Sequence, residues 1–479
     1  MAYSKSEVDR DVSIGADAAA PDAAAPDASD AHGDGAYEAD TDQADTYQEE
    51  AVQVAPVELT PHQQAALEQL LSFVHSREKL HLLTGYAGTG KTTLMQALIY
   101  QLRQAGDRRP VVLTAFSNKA TKVLMRMAEI WGLEVDCMTC CKLLALKPEI
   151  DSQTGKQVFR PDPNSENRFD RYRLVIVDEA SMVDGELWLL LTASVADLYK
   201  QTQILFVGDA AQLPPVNERE SQVFSQIHER TDLTEVVRYG GPIGVLATQI
   251  RQNPRRHPTF VTQANRDRTQ GVFALRRPQW KHCLIQALES QAYRQDSDYV
   301  RALAYTNARV HQLNRAARGV LYGRDADQFV VGERLIANSP CWAGDALLLQ
   351  NSEECEVLVA VEGEEGPWRV WFLEVVTDGD KYRSLTVLHN SSRNLFDSLL
   401  KKYAAERRWQ EFWELKNLFH DLGYAYCLTI HKSQGSTFQN VFVDVPNIGI
   451  NSNHDERNQL LYVAVTRAAQ RVFLLTHGS

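Results

Sequence analysis

The sequence predicts an α/β protein with parallel sheets, and three observations carry that expectation. Short apolar runs, each long enough for one buried strand, recur at Val111-Val112-Leu113, Leu174-Val175-Ile176-Val177 and Ile204-Leu205-Phe206-Val207. Stretches of helical length lie between them, so consecutive strands are joined by crossovers and the sheet is covered on both faces. The third observation is Gly85-Tyr86-Ala87-Gly88-Thr89-Gly90-Lys91-Thr92, which fits G-x-x-x-x-G-K-[ST]. It sits between an apolar run, Leu80-His81-Leu82-Leu83-Thr84, and a helical stretch from Thr92 to Ile99. Average composition would produce that four-position pattern about 0.02 times in a chain of this length.

The first element, residues 1–55, is set apart by charge. Residues 1–50 hold 14 Asp and Glu against only Lys5 and Arg10, with Asp-Ala-Ala-Ala-Pro twice in succession. Such a segment has too little apolar surface to offset the entropy of ordering and is expected to be a disordered acidic leader. A solubilising role is the simpler reading; a tether for partner proteins and a nucleic-acid mimic are the alternatives. Without it, a 479-residue chain of net charge −12 becomes neutral, with 48 acidic and 48 basic side chains. Any polyanionic partner must then be held by local grooves and not by bulk charge. There is no 18-residue apolar run and no basic-then-apolar start, so no membrane span is expected and the cytoplasm is the expected location. Seven scattered cysteines read as reduced thiols. Cys137-x-x-Cys140-Cys141 has no second cysteine or histidine pair nearby, so no zinc is expected there.

Residues 56–235 form the first α/β domain. After 236 the alternation resumes, with strands expected at Arg301–Thr306 and Val441–Val445; a second α/β domain is assigned to 236–329 and 421–479. Residues 330–420 are assigned to an insertion: between about 330 and 390 the texture changes to short strands and tight turns at Glu354–Val361, Trp368–Val376 and Tyr382–Leu388, read as a small inserted β-barrel. An amphipathic helix over 395–420 follows, with Trp409, Phe412, Trp413 and Leu418 at helical spacing as core.

The chemistry begins at the glycine-rich loop. Gly85, Gly88 and Gly90 let the backbone wrap phosphates closely with its N–H groups turned inward, assisted by Thr89. Lys91 reaches the β- and γ-phosphates, Thr92 completes a Mg²⁺ shell, and Thr93 follows at the helix start. Val177 ends a buried strand and Asp178-Glu179 come next: Asp178 positions the metal and Glu179 orients and deprotonates the attacking water. Gln212, after another strand, is placed to sense the γ-phosphate, with Pro214-Pro215 as a rigid transmitter.

The ordered set of segments resembles superfamily 1 helicases of subclass B, the RecD/Dda group. The segments are Leu59–Gln64, the phosphate loop, Thr114–Ala120, Asp178–Met182, Gly208–Val216, Leu233–Arg238, Leu428–Thr437 and Leu461–Ala468. The resemblance spans about residues 57–475. The Dda side of the group is carried more narrowly by Trp409–Trp413 ahead of His431–Gly435 and by the small β insertion. It implies two RecA-like domains, an SH3-like fold for the inserted barrel, and an ATP-dependent DNA helicase moving 5′-to-3′ on single-stranded DNA and separating duplex DNA. It further implies Gln63 on adenine, with Arg238 and Arg467 reaching the γ-phosphate from the second domain. Contacts to the strand fall to Phe116, Ser117, Asn118, Lys119, Thr139, Thr429, His431, Lys432, Ser433 and Thr437, residue types suited to sequence-independent phosphate and sugar contacts. Phe116 and Ala210 stand where the family often has proline; Phe116 stacks on a base or packs inside. Residues 147–170 correspond to a β-hairpin that splits the duplex, with Phe159 as wedge or as an ordinary packed residue. A monomer is expected, because both halves of the ATP site lie in one chain. Two alternatives remain: a DNA-stimulated translocase that strips proteins without unwinding, and a nucleotide-controlled module of a replication or recombination complex docked through the leader.

Overall fold

The computed structural model describes residues 57–150, 157–162, 165–197, 199–215, 218–237, 241–252, 260–344, 346–377 and 381–476. The acidic leader and Arg238 lie outside the described residues.

The first lobe opens with helix Pro61–His75, started by a reciprocal cap in which Thr60 and Gln63 satisfy each other's backbone N–H. Its strands are β1 (Leu80–Gly85), β2 (Val111–Ala115), β3 (Asp136–Thr139), the pair β4 (Leu146–Ile150) and β5 (Gln157–Pro161), then β6 (Leu174–Val177), β7 (Gln203–Gly208) and β8 (Arg230–Leu233). Six of these form one sheet, ordered β3-β2-β6-β7-β1-β8, with every neighbouring pair parallel. Alternate residues serve opposite faces: Leu174 and Ile176 join one apolar cluster, Val175 and Val177 the other. β4 and β5 pair antiparallel outside this sheet, with Phe159 opposite Pro148.

The second lobe contains β9 (Gln263–Ala264), β10 (Gly271–Leu275) and β11 (Val300–Ala304). Next come β12 (Arg334–Ala337), β13 (Cys341–Ala343), β14 (Ala346–Leu349), β15 (Glu354–Glu365), β16 (Trp368–Thr377), β17 (Tyr382–Leu388) and β18 (Leu422–Tyr424). The chain then returns through β19 (Cys427–Thr429), β20 (Phe438–Asp444) and β21 (Ala468–Leu475). The lobe's main sheet runs β19-β11-β20-β21-β10-β9, parallel except at the β10–β9 edge. β11 and β20 stop at Ala304 and Asp444, short of the expected ends, because Thr306 caps helix Asn307–Leu321 and Asp444 caps the short helix Val445–Ile448.

The excursion between β11 and β19 builds an antiparallel sheet, β17-β16-β15-β12-β18, over its own apolar cluster. Among the described residues no ladder joins β17 to β18, so the sheet order is open. The single helix expected over 395–420 is two, Arg393–Ala405 and Trp409–Lys416. Arg407 adopts a left-handed conformation (φ 53°), and the Arg408 and Arg407 N–H groups bond Tyr403 O and Ala404 O, a closure that ends a helix. The aromatics expected as core are half-buried and pack on one another instead, Trp409–Phe412 and Phe412–Trp413 at 5.9 and 5.4 Å, while Leu418 is exposed.

Candidate nucleotide site and strand groove

The glycine-rich loop joins the C-terminal end of β1 to helix Lys91–Gln104, so it lies at the edge of a parallel sheet where six strands point the same way. Gly88 and Gly90 have φ of 78° and 85°, a left-handed region that favours glycine. A Cβ on Gly85 would come within 2.8 Å of Leu233 and of Thr89 Oγ1, so this glycine permits close packing. Thr89 is fully buried, its hydroxyl donating to Tyr86 O at 2.9 Å. Lys91 Nζ donates to Gly85 O at 2.7 Å and Tyr86 O at 3.0 Å, folded over its own loop. Thr92 and Thr93 are half-buried in the helix's first turn. Gln63 braces the loop from outside, its carboxamide donating to Thr89 O at 3.0 Å and accepting from Thr60 N.

Asp178 and Glu179 emerge from β6 beside this loop. Burial and the neighbouring Glu179 push the Asp178 carboxyl up to about 7, while Lys91 draws it down. Glu179 adopts a left-handed backbone (φ 56°), a conformation costing about 1–3 kcal/mol in a residue with a side chain. The second lobe faces it through Gly435 (φ 73°), where an added Cβ would stand 3.9 Å from Glu179 Oε1 and from Ser117 Oγ. Gln212 is 5% exposed, and its Oε1 is buried with no hydrogen-bond partner among the described residues. Arg467 caps helix His454–Thr466 and is 6% exposed. Its guanidinium donates to Val463 O, Ser436 O and Thr466 Oγ1; among the described residues no carboxylate is within ion-pair distance.

The residues expected on the strand are arranged differently. Ser117 and Thr139 are helix N-caps, their hydroxyls accepting from Ala120 N and Lys142 N. Thr429 accepts from Lys432 N, and the fully buried Ser433 donates to Ile430 O. Lys432 donates to Asn338 at 2.8 Å; burial lowers the pKa of both Lys432 and His431. Phe116 is half-buried against the first lobe's core, Asn118 opens helix Asn118–Ile130, and Thr437 is exposed. Lys119 crosses between lobes to Asp298 at 3.4 Å and Glu354 at 3.7 Å, and Lys122 reaches Glu353 at 3.0 Å. Phe159 stands apart on β5, 46% exposed.

An AAA domain family matches residues 58–271, and a UvrD-like helicase C-terminal domain matches residues 424–475. The ATP-dependent DNA helicase Dda of Enterobacteria phage T4 is 28% identical over 439 residues, covering 83% of this chain and 95% of its own. The RecBCD enzyme subunit RecD of Mycolicibacterium smegmatis is 27% identical over 440 residues, 86% of this chain and 70% of its own. The chain is homologous to the Dda and RecD helicases. The ATP-dependent DNA helicase PIF1 of Emericella nidulans is 29% identical over 160 residues, 32% of this chain and 20% of its own.

In this helicase homologue three residues join the lobes that the sequence reading did not single out. Asp209 and Tyr462 are buried together and both accept from the Ala87 N–H, at 2.9 and 3.0 Å; Tyr462 Oη donates to Asp209 at 2.8 Å. Arg251 stacks over the Tyr86 ring at 3.2 Å. Asp209 and Tyr462 stood inside recognised segments, but nothing in those segments tells which side chains meet across a lobe boundary.

Proposed function

We propose that the protein is an ATP-dependent DNA helicase that translocates on single-stranded DNA, 5′-to-3′ by its resemblance to the RecD/Dda group, and separates duplex DNA. One observation carries the reading: groups suited to a triphosphate come from both lobes, and the lobes meet at the glycine loop itself. These groups are the left-handed glycine loop with Lys91 folded over it and, from the second lobe, the Arg467 guanidinium, which meets no carboxylate among the described residues.

In this reading Lys91 exchanges the Gly85 and Tyr86 carbonyls for the β- and γ-phosphates, and Gly85, Gly88, Thr89, Gly90 and Thr93 shape the cradle. Thr92 and Asp178 hold Mg²⁺. The donor set fits, since a carboxylate raised by burial and by Glu179 is one that a divalent cation would relieve. The ion supplies charge neutralisation at the phosphates. Glu179 orients the attacking water and takes its proton, Gln212 contacts the γ-phosphate, and Arg467 offers its planar fork to the charge that develops there. Arg238 joins Arg467 by the resemblance alone, and Gln63 reads adenine while bracing the loop. Ser117, Asn118, Lys119, Thr139, Thr429, His431, Lys432, Ser433 and Thr437 line the strand groove, with Phe116 against its wall. Phe159 is the duplex wedge. A monomer is proposed, with replication or recombination proteins as partners of the leader and the cytoplasm as its place of action.

The test is ATP hydrolysis by purified full-length protein with and without single-stranded DNA. Stimulation is expected; its absence overturns the helicase reading. Phe159→Ala is expected to abolish strand separation with hydrolysis intact, and unchanged unwinding would remove the wedge assignment.

A further inference from the structure

The loop that receives phosphates is also the place where the second lobe is fastened, and two of the three fastening residues, Tyr86 and Ala87, are not among the positions assigned to the phosphates. Three consecutive residues at its tip each contact the region beyond β8. Tyr86 lies under Arg251, Ala87 N–H is shared by Asp209 and Tyr462, and Gly88 O accepts from Val237 N at 2.9 Å. Ala87 itself is packed in the second lobe's apolar cluster, together with Leu213 from the segment that follows β7. The tip is therefore embedded in the opposite lobe.

Within this contact Tyr462 has a particular place. It sits on helix His454–Thr466, five residues before Arg467, a rise of about 7.5 Å along the helix. The Arg467 guanidinium folds back along that helix, its Nε donating to Val463 O, the residue next to Tyr462. Asp209 lies three positions before Gln212, whose backbone N–H donates to Asp209 O at 3.1 Å. One buried hydroxyl thus ties together the phosphate loop, the turn carrying Gln212 and the helix carrying Arg467. Removing it would leave the Asp209 carboxylate buried with fewer donors and take away the polar tie between helix and loop, leaving only their apolar packing to set the register.

We infer that Tyr462 is a positioning residue for ATP hydrolysis: its hydroxyl, with Asp209 and the Ala87 N–H, sets the register in which Arg467 meets the phosphate loop. The inference rests on the nucleotide-hydrolysis reading above and adds to it a residue that touches no phosphate. A positioning error of this kind affects the transition state more than the ground state, so it falls on kcat.

The experiment compares full-length wild type with Tyr462→Phe, Asp209→Asn and the double variant, measuring hydrolysis and the affinity for a fluorescent ADP analogue. Tyr462→Phe keeps the ring in its buried site and removes only the hydroxyl. It is expected to lower kcat about tenfold while KM for ATP and analogue affinity stay within about threefold. The double variant is expected to be no worse than the more damaging single change, as for groups that act as a unit. Unchanged kcat, a loss confined to KM, loss of analogue binding, or single effects that multiply in the double variant would each overturn the inference. If wild type hydrolyses ATP without DNA stimulation, the helicase reading fails, and the same comparison on basal hydrolysis still decides Tyr462.

Discussion

The proposed nucleotide site and the proposed strand groove are built from the same kinds of polar residue, yet they differ in how far those residues are already engaged. Around the glycine loop, among the described residues, Gln212 Oε1 has no partner and Arg467 has no acid, so polar groups are left open in a buried place. In the groove, Ser117, Thr139, Thr429 and Ser433 are closed by local backbone partners, and Lys119 by acids of the opposite lobe. Open groups wait for a ligand of fixed shape. Closed groups hold loops and helix ends in place, which in the proposed function leaves backbone and a few exposed atoms to meet a strand of any sequence. Substitutions in the two regions should therefore fail in different ways.

The largest effect is expected for Arg467→Ala, which should lower DNA-stimulated hydrolysis about a thousandfold while fluorescent nucleotide still binds. A loss of binding instead would place Arg467 among the structural residues. Glu179→Gln should lower hydrolysis about a hundredfold or more with ATP still bound, read by single-turnover assay beside equilibrium titration. Smaller is the effect of Lys119→Ala. If the lysine exchanges Asp298 and Glu354 for phosphate, the slope of log affinity for single-stranded DNA against log salt should shrink by about 0.7. An unchanged slope would assign Lys119 wholly to the interlobe pair. Smallest is Thr139→Ala, a lost helix cap costing about 1 kcal/mol of stability, seen in denaturant melts with hydrolysis per folded molecule unchanged.

How much was legible in the sequence follows from the range over which each feature is determined. The glycine loop was legible because its chemistry requires particular residues within eight positions, and β2, β6 and β7 because buried parallel strands are continuously apolar. The break at Arg407 was not, since the left-handed turn is made by arginine where glycine would have announced it. Glu179 hid its left-handed backbone in the same way. The Asp209–Tyr462 bond spans 253 positions and the Lys119–Asp298 contact 179. No periodicity encodes such pairings, because they depend on how two separately folded sheets meet.

The strand order of the second lobe has a consequence for synthesis. β20 and β21 occupy the middle of its sheet, between β11 and β10, yet they are the last strands along the chain. Roughly 160 residues separate β10 from β20, about 10–30 s of translation at common rates. During that interval the first lobe has all its strands, whereas β10 and β11 have their inner edges bare. The nascent chain can thus hold a finished glycine loop well before the lobe that packs on it exists, and bare strand edges mark this as the stage most exposed to misassembly.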